Sequence, residues 1–136
     1  MAVVPNPSAK PSDGAQVLVV ADDDKDIRRM LVKALGLTFT VYEATDGEEA
    51  RQLLENLPAV DGLVCDLMMP RLDGITLAQV LHKVPKLARV PILFLTAKGS
   101  PRDVVTGINA GARHYVTKPF NVADVIAKVK AMTKTK

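Results

Sequence analysis

Five short apolar runs punctuate the chain, and segments whose apolar positions recur at three and four lie between and after them. The first run, Val17-Leu18-Val19-Val20-Ala21 within residues 16–21, stops at Asp22, Asp23 and Asp24. Unbroken apolar runs of this length, bounded by turn residues, predict buried strands. From Lys25 the spacing becomes helical: Ile27, Met30, Leu31, Ala34 and Leu35 form a stripe, Arg28, Arg29 and Lys33 fall between them, and Gly36 can end the helix. Thr40-Val41-Tyr42-Glu43-Ala44 predicts a second strand. Asp46-Gly47 then turns the chain into a helix over residues 48–55, with acids in its first turn where they suit the helix dipole.

The third run, Gly62-Leu63-Val64-Cys65-Asp66, ends on a carboxylate, and residues 70–74 form a loop. Ile75, Leu77, Ala78, Val80 and Leu81 make a helical face that fades before Pro85. The fourth run, residues 90–95, ends at Thr96 and carries Pro91 near its start, where a strand tolerates it. Ser100 and Pro101 suit the cap and first position of a helix bearing Val104, Val105, Ile108 and Ala112. Residues 113–117 predict a last strand closed by Lys118-Pro119. Asn121 can cap a final helix with Val122, Val125, Ile126, Val129 and Met132 on its apolar face.

Five strands alternating with five helices predict an α/β fold: a parallel sheet covered on both faces by right-handed crossovers. Residues 1–15, with Pro5, Pro7, Pro11, Ser8, Ser12 and Gly14, read as a flexible N-terminal tail. One domain is expected over residues 16–133, with a C-terminal tail at 134–136.

Composition narrows the classes without choosing among them. At 136 residues, 48% hydrophobic and 24% charged, the chain can bury a real core. Its net charge of +3 includes 15 interspersed acids, so direct nucleic-acid binding by this domain is not expected, and the lysines near the C-terminus read as a solvated helix face. Cys65 is the one cysteine and lies inside a strand, which favours a small core residue over a redox thiol. His82 and His114 lack partners at metal-ligand spacing. No apolar run approaches the roughly 18–20 residues of a membrane span, and no signal pattern opens the chain, so a cytoplasmic location is expected.

The chemistry is concentrated at the strand ends. In a parallel sheet all carboxyl ends lie on one edge, so Asp22, Asp23, Asp66, Thr96 and Lys118 converge there. Asp24 is assigned to capping the first helix. Crowded carboxylates repel one another and persist as anions mainly when a cation neutralises them. An all-oxygen ligand set favours a hard ion such as Mg²⁺, which keeps coordination sites for phosphate oxygens. An aspartate can act as nucleophile in phosphoryl transfer, with a metal and an ammonium offsetting the charge and a hydroxyl donating to an oxygen.

Taken together, Asp22-Asp23, Asp66, Thr96 and Lys118-Pro119, each following a strand, resemble the receiver domains of two-component response regulators. Asp66-Leu67-Met68-Met69-Pro70 with Asp73-Gly74, Leu95-Thr96-Ala97, Gly111-Ala112, Tyr115 and Lys118-Pro119-Phe120 strengthen the likeness, which spans about residues 16–132. The resemblance implies a flavodoxin-like, doubly wound three-layer sandwich with strand order 2-1-3-4-5. It implies that Asp66 accepts a phosphoryl group from a sensor histidine kinase or a histidine phosphotransfer protein. Mg²⁺, or Mn²⁺, would be held by Asp23, Asp66 and the backbone carbonyl of Met68, with Asp22 acting through water. Lys118, Thr96 and the backbone of Ala97 would support the phosphoryl group, Thr96 and Tyr115 would form a switch, and Met68 and Lys98 occupy positions that tune the lifetime of the phosphoryl group. The changed surface would be that of the fourth helix, fifth strand and fifth helix, read by a downstream protein target, with the chain a monomer or a phosphorylation-promoted dimer. Such a protein catalyses its own phosphorylation and dephosphorylation and is not a turnover enzyme.

Lys25 stands where many members of that family have proline, away from the site. Because the sequence closes with the last helix, no output domain is expected within it: the chain is a stand-alone receiver or the receiver of a longer regulator with a DNA-binding or enzymatic output. Two other classes compete. One is a phosphate-independent interaction scaffold. The other is a phosphatase of the haloacid-dehalogenase type, disfavoured because Met68 stands where that class has its second aspartate.

Overall fold

A computed structural model of the protein describes residues 15–96 and 112–133. Val17–Ala21 (β1), Thr40–Ala44 (β2), Gly62–Asp66 (β3), Ile92–Thr96 (β4) and Ala112–Thr117 (β5) form one sheet in the order β2-β1-β3-β4-β5. Every neighbouring pair is parallel. The described helices are α1 (Lys25–Leu35), α2 (Gly47–Asn56), α3 (Gly74–His82) and the C-terminal helix, Val122–Thr133. This is the expected doubly wound, flavodoxin-like α/β sandwich.

The strands read as continuously apolar because both of their faces are covered. Val19, Ala21, Leu63, Cys65, Ile92 and Phe94 cluster with Leu53 and Leu54 of α2 and Leu77 and Leu81 of α3. Their neighbours Leu18, Val20, Val64, Leu93 and Leu95 cluster instead with Leu31 and Leu35 of α1 and with Val125 and Val129 of the C-terminal helix. Burial of each large apolar side chain is worth roughly 1.5–3 kcal/mol, so these two layers hold the sheet between them. Strand order reverses at β1, which lies between β2 and β3. Ligand crevices of open α/β sheets form at such a reversal, outside the strands' carboxyl ends.

Two local expectations change. Ala112, expected on a helical face, is the first residue of β5 and pairs with Ile92, where the register shifts before Leu93. The rest of the helix expected over 100–112 lies outside the described residues, as do Ala97 and Lys98. The buried face of α1 is also rotated from the predicted stripe: Arg28, Leu31, Val32 and Leu35 are buried, whereas Met30 is 41% exposed. Arg28, which the apolar spacing assigns to the surface, can be buried because its guanidinium finds partners in Glu43 and the Asp22 carbonyl. Among the described residues no helix is long and apolar enough to cross a membrane.

Candidate functional site

The three consecutive aspartates after β1 have different surroundings because the chain turns there from strand to helix. Asp24 caps α1, its Oδ1 accepting from the N–H groups of Asp26 (3.0 Å) and Ile27 (3.1 Å), as expected. Asp22 is fully buried. Its N–H donates to the Ala44 carbonyl at 3.2 Å and its Oδ1 accepts from the Asp24 N–H at 2.8 Å. Asp23, between them, is exposed.

Asp66 is the last residue of β3 and is buried. The register pairs Ala21 with Cys65, so Asp22 and Asp66 leave adjacent strands side by side. Asp66 Oδ1 accepts from the Met68 N–H at 3.1 Å, and its Oδ2 accepts from Lys118 Nζ at 3.0 Å. Lys118 follows β5, its N–H donates to the Thr96 carbonyl at 2.7 Å, and its bond to Pro119 is cis. The same ammonium lies 3.1 Å from Asp22 Oδ2. One carboxylate oxygen from each of Asp22, Asp23 and Asp66 falls within 4.8 Å of the others.

Three carboxylates and one ammonium leave the cluster with excess negative charge. Burial, with the nearby Asp66 charge, outweighs the Asp24 N–H bond and the Lys118 charge and pushes the Asp22 carboxyl from 3.8 up to about 6. Burial pulls the Lys118 ammonium down, but its hydrogen bond to Asp66 and the charge of Asp22 more than compensate, so its pKa rises. Asp22 Oδ2 makes the 3.1 Å ion pair with Lys118 but no hydrogen bond of good geometry. A buried oxygen so left beside two further carboxylates fits a divalent cation, and the all-oxygen donor set suits a hard one.

Asp22's raised pKa makes a prediction about stability. A carboxyl whose folded pKa lies above its unfolded value stabilises the fold fully below the unfolded value, and that contribution is lost as pH rises through the folded one. Without divalent cations, ionised Asp22 therefore costs on the order of 3 kcal/mol above pH 6. We expect Asp22→Asn to be more stable than the parent in urea unfolding at pH 7.5, with the advantage shrinking towards pH 4. A pH-independent difference would contradict the assignment.

The other predicted residues occupy the same edge or the strands leading to it. Thr96 ends β4, is buried, and pairs with Thr117. Tyr115 lies further back in β5, opposite Phe94, with ring centroids 5.6 Å apart, and is partly buried against the cluster that includes α2 and α3. Met68 is 75% exposed beside Asp66. Cys65 is buried, donates to the Asp66 carbonyl at 3.2 Å, and is pushed well above the usual thiol range by burial and then by the Asp66 charge, which makes it a core residue.

Two supports of this edge escaped the sequence reading. Arg28 reaches from α1 to Glu43 and to the Asp22 carbonyl. Glu43, the one charge in β2, was the available signal that a cation lay nearby. Arg71, in the loop after β3 with a left-handed φ of 69°, donates to Asp46 Oδ2 at 2.7 Å, while Asp46 Oδ1 caps α2 by accepting from Glu49 N–H at 2.9 Å.

Comparison with known proteins places this edge in a family. The model of the response regulator receiver domain matches residues 17–130. Regulatory protein VanRc of Enterococcus gallinarum is 40% identical over 117 residues, covering 85% of this chain and 49% of that protein. Transcriptional regulatory protein PrrA of Mycobacterium tuberculosis is 41% identical over 117 residues, covering 85% and 48%. The chain thus spans about half the length of the curated relatives it matches. Among solved structures, the receiver domain of the Francisella response regulator 1452 is similar with a TM-score of 0.79 and 33% identity, covering 87% of this chain and 96% of that one. The Vibrio cholerae chemotaxis protein CheY4 is similar with a TM-score of 0.82 and 26% identity, covering 88% and 99%. With its sheet order, its acidic strand ends and a family match over most of its length, the chain belongs to the response regulator receiver domains.

Proposed function

We propose that the protein is a phosphorylation-dependent signalling switch in which Asp66 accepts a phosphoryl group from the phosphohistidine of a sensor histidine kinase or a histidine phosphotransfer protein. The observation that carries this reading is the Asp66 carboxylate at the end of β3, hydrogen-bonded to Lys118 and within reach of Asp22 and Asp23. The cation is Mg²⁺, with Mn²⁺ as a substitute, held by Asp23, Asp66 and the Met68 carbonyl, with Asp22 acting through water. When bound, it neutralises charge on the phosphoryl oxygens.

One Asp66 oxygen forms the bond to phosphorus as the phosphorus–nitrogen bond breaks, and the imidazole nitrogen keeps the electron pair and takes up a proton. Lys118, already on Asp66 Oδ2, transfers its hydrogen bond to a phosphoryl oxygen. The Thr96 hydroxyl and the Ala97 N–H donate to the others. The added dianion is a large local perturbation that can bias a two-state element. Here that element is Thr96 with Tyr115, and the surface it alters is that of β5, the C-terminal helix and the segment between β4 and β5. The reader of that surface is a downstream protein, or an output segment such as the longer relatives named transcriptional regulatory proteins have room for. The reaction is the chain's action on itself, not turnover.

The test is incubation with acetyl phosphate and Mg²⁺ followed by intact-mass measurement. The expected result is a gain of one phosphoryl group, with chelation of divalent cations slowing the gain by about a hundredfold or more. An equal gain in chelator would overturn the metal-dependent reading. No gain at all would favour the phosphate-independent scaffold.

A further inference from the structure

The geometry points to Arg28, clamped by Glu43, as the residue that positions the Asp22–Asp23 pair for its divalent cation. This inference rests on the cation reading proposed above and adds a part to it. Arg28 lies on α1 and is only 9% exposed. Its Nε donates to Glu43 Oε1 at 2.8 Å, and its Nη1 donates to the Asp22 backbone carbonyl at 3.0 Å.

Arg28 is buried while the Glu43 side chain is 31% exposed, so the pair takes a guanidinium out of water for a partly screened partner, which by itself adds little stability. The third contact supplies the reason for keeping this one. The Asp22 carbonyl belongs to the peptide joining Asp22 to Asp23, so holding it sets the direction in which both carboxylates leave the chain. The N–H of Asp22 is held on the other side by the Ala44 carbonyl at 3.2 Å, and Ala44 directly follows Glu43 in β2. Arg28 and the end of β2 thus grip residue 22 from both of its backbone groups.

Asp23 has more need of this than Asp22. The Asp22 side chain is fixed locally by the Asp24 N–H, whereas the exposed Asp23 carboxylate has no hydrogen-bond partner among the described residues. Its placement beside Asp66 depends on the peptide that precedes it. A planar guanidinium can serve a carboxylate and a carbonyl at once through separate N–H groups, which a single ammonium cannot do with the same geometry. Groups outside the ligand set that orient ligands this way commonly contribute 10-fold or more to metal affinity, by the general rule for such supports (~10–100-fold).

The experiment is calorimetric titration of Mg²⁺ into the unphosphorylated full chain and into Arg28→Met and Arg28→Lys. The dissociation constant is expected to rise about tenfold in Arg28→Met and by a smaller factor, about threefold, in Arg28→Lys. In phosphorylation by acetyl phosphate the loss is expected in the Mg²⁺ concentration for half-maximal rate rather than in the rate at saturation. A merely structural Arg28 would lower the melting temperature and leave Mg²⁺ affinity unchanged. Affinity within twofold of the parent in both variants overturns the inference. Should Arg28→Met fail to fold, Arg28→Lys decides, because it keeps the charge facing Glu43. A parent chain that binds no Mg²⁺ overturns the cation reading itself, an outcome distinct from a parent that binds and variants that match it.

Discussion

Asp66→Asn abolishes phosphoryl uptake: with acetyl phosphate and Mg²⁺ the parent gains one phosphoryl group and the variant retains its unmodified mass. Asparagine has nearly the shape of aspartate, so β3 and its apolar contacts persist. Its amide oxygen can still accept the Met68 N–H that Asp66 Oδ1 accepts at 3.1 Å. What it loses is nucleophilicity and charge. Its amide nitrogen cannot accept from Lys118, whose ammonium sits 3.0 Å from Asp66 Oδ2, so that ammonium turns to Asp22, already 3.1 Å away. The loss of one negative charge also removes a contribution that raises the Asp22 pKa. Stability at pH 7 should therefore change by no more than about 1 kcal/mol in urea unfolding, while labelling falls to background. Labelling that persisted in the variant would refute Asp66 as the acceptor.

Gly47→Ala is expected to be the most damaging alanine substitution among the described glycines Gly47, Gly62 and Gly74. A Cβ at Gly47 would lie 1.8 Å from the Leu72 carbonyl oxygen and 2.6 Å from its carbon. Both atoms are backbone, so relief requires the start of α2 or the loop after β3 to move. Asp46, beside Gly47, caps α2 and pairs with Arg71 of that same loop, which resists such movement. Overpacking of this kind costs about 3 kcal/mol or more, which lowers the melting temperature by about 10 °C. Because Met68 and Asp66 stand at the head of the displaced loop, phosphorylation should slow as well. Gly62→Ala is the control: its Cβ would meet only side-chain ends, Leu18 Cδ2 and Thr133 Cγ2 at 3.0 Å, and a milder loss is expected. A melting temperature for Gly47→Ala equal to that of Gly62→Ala would contradict the steric account.

Most of the candidate site's edge was legible in the sequence. The apolar runs place Asp22, Asp66, Thr96 and Lys118 just at or beyond strand ends, and a parallel sheet brings all such ends to one side. The observed strands end at Ala21, Asp66, Thr96 and Thr117, within a residue of that expectation. Capping by Asp24 and Asn121 was legible for the same local reason, since a cap bonds N–H groups two or three residues away. Helical spacing failed at Arg28 because it treats charge as a proxy for exposure. A long side chain can bury its stem and carry its charged end to a partner in another element.

The sequence by itself determined the alternation of elements, the covered sheet and the identity of the groups gathered at its carboxyl edge, because those follow from short-range periodicity and from the single direction of parallel strands. Only the tertiary structure decided which aspartate is fully buried, how one ammonium is shared between Asp22 and Asp66, and that Arg28 with Glu43 and Arg71 with Asp46 brace the loops. Those pairings join residues 15 to 96 positions apart. Their distances are set by strand order and packing, and no local pattern encodes them.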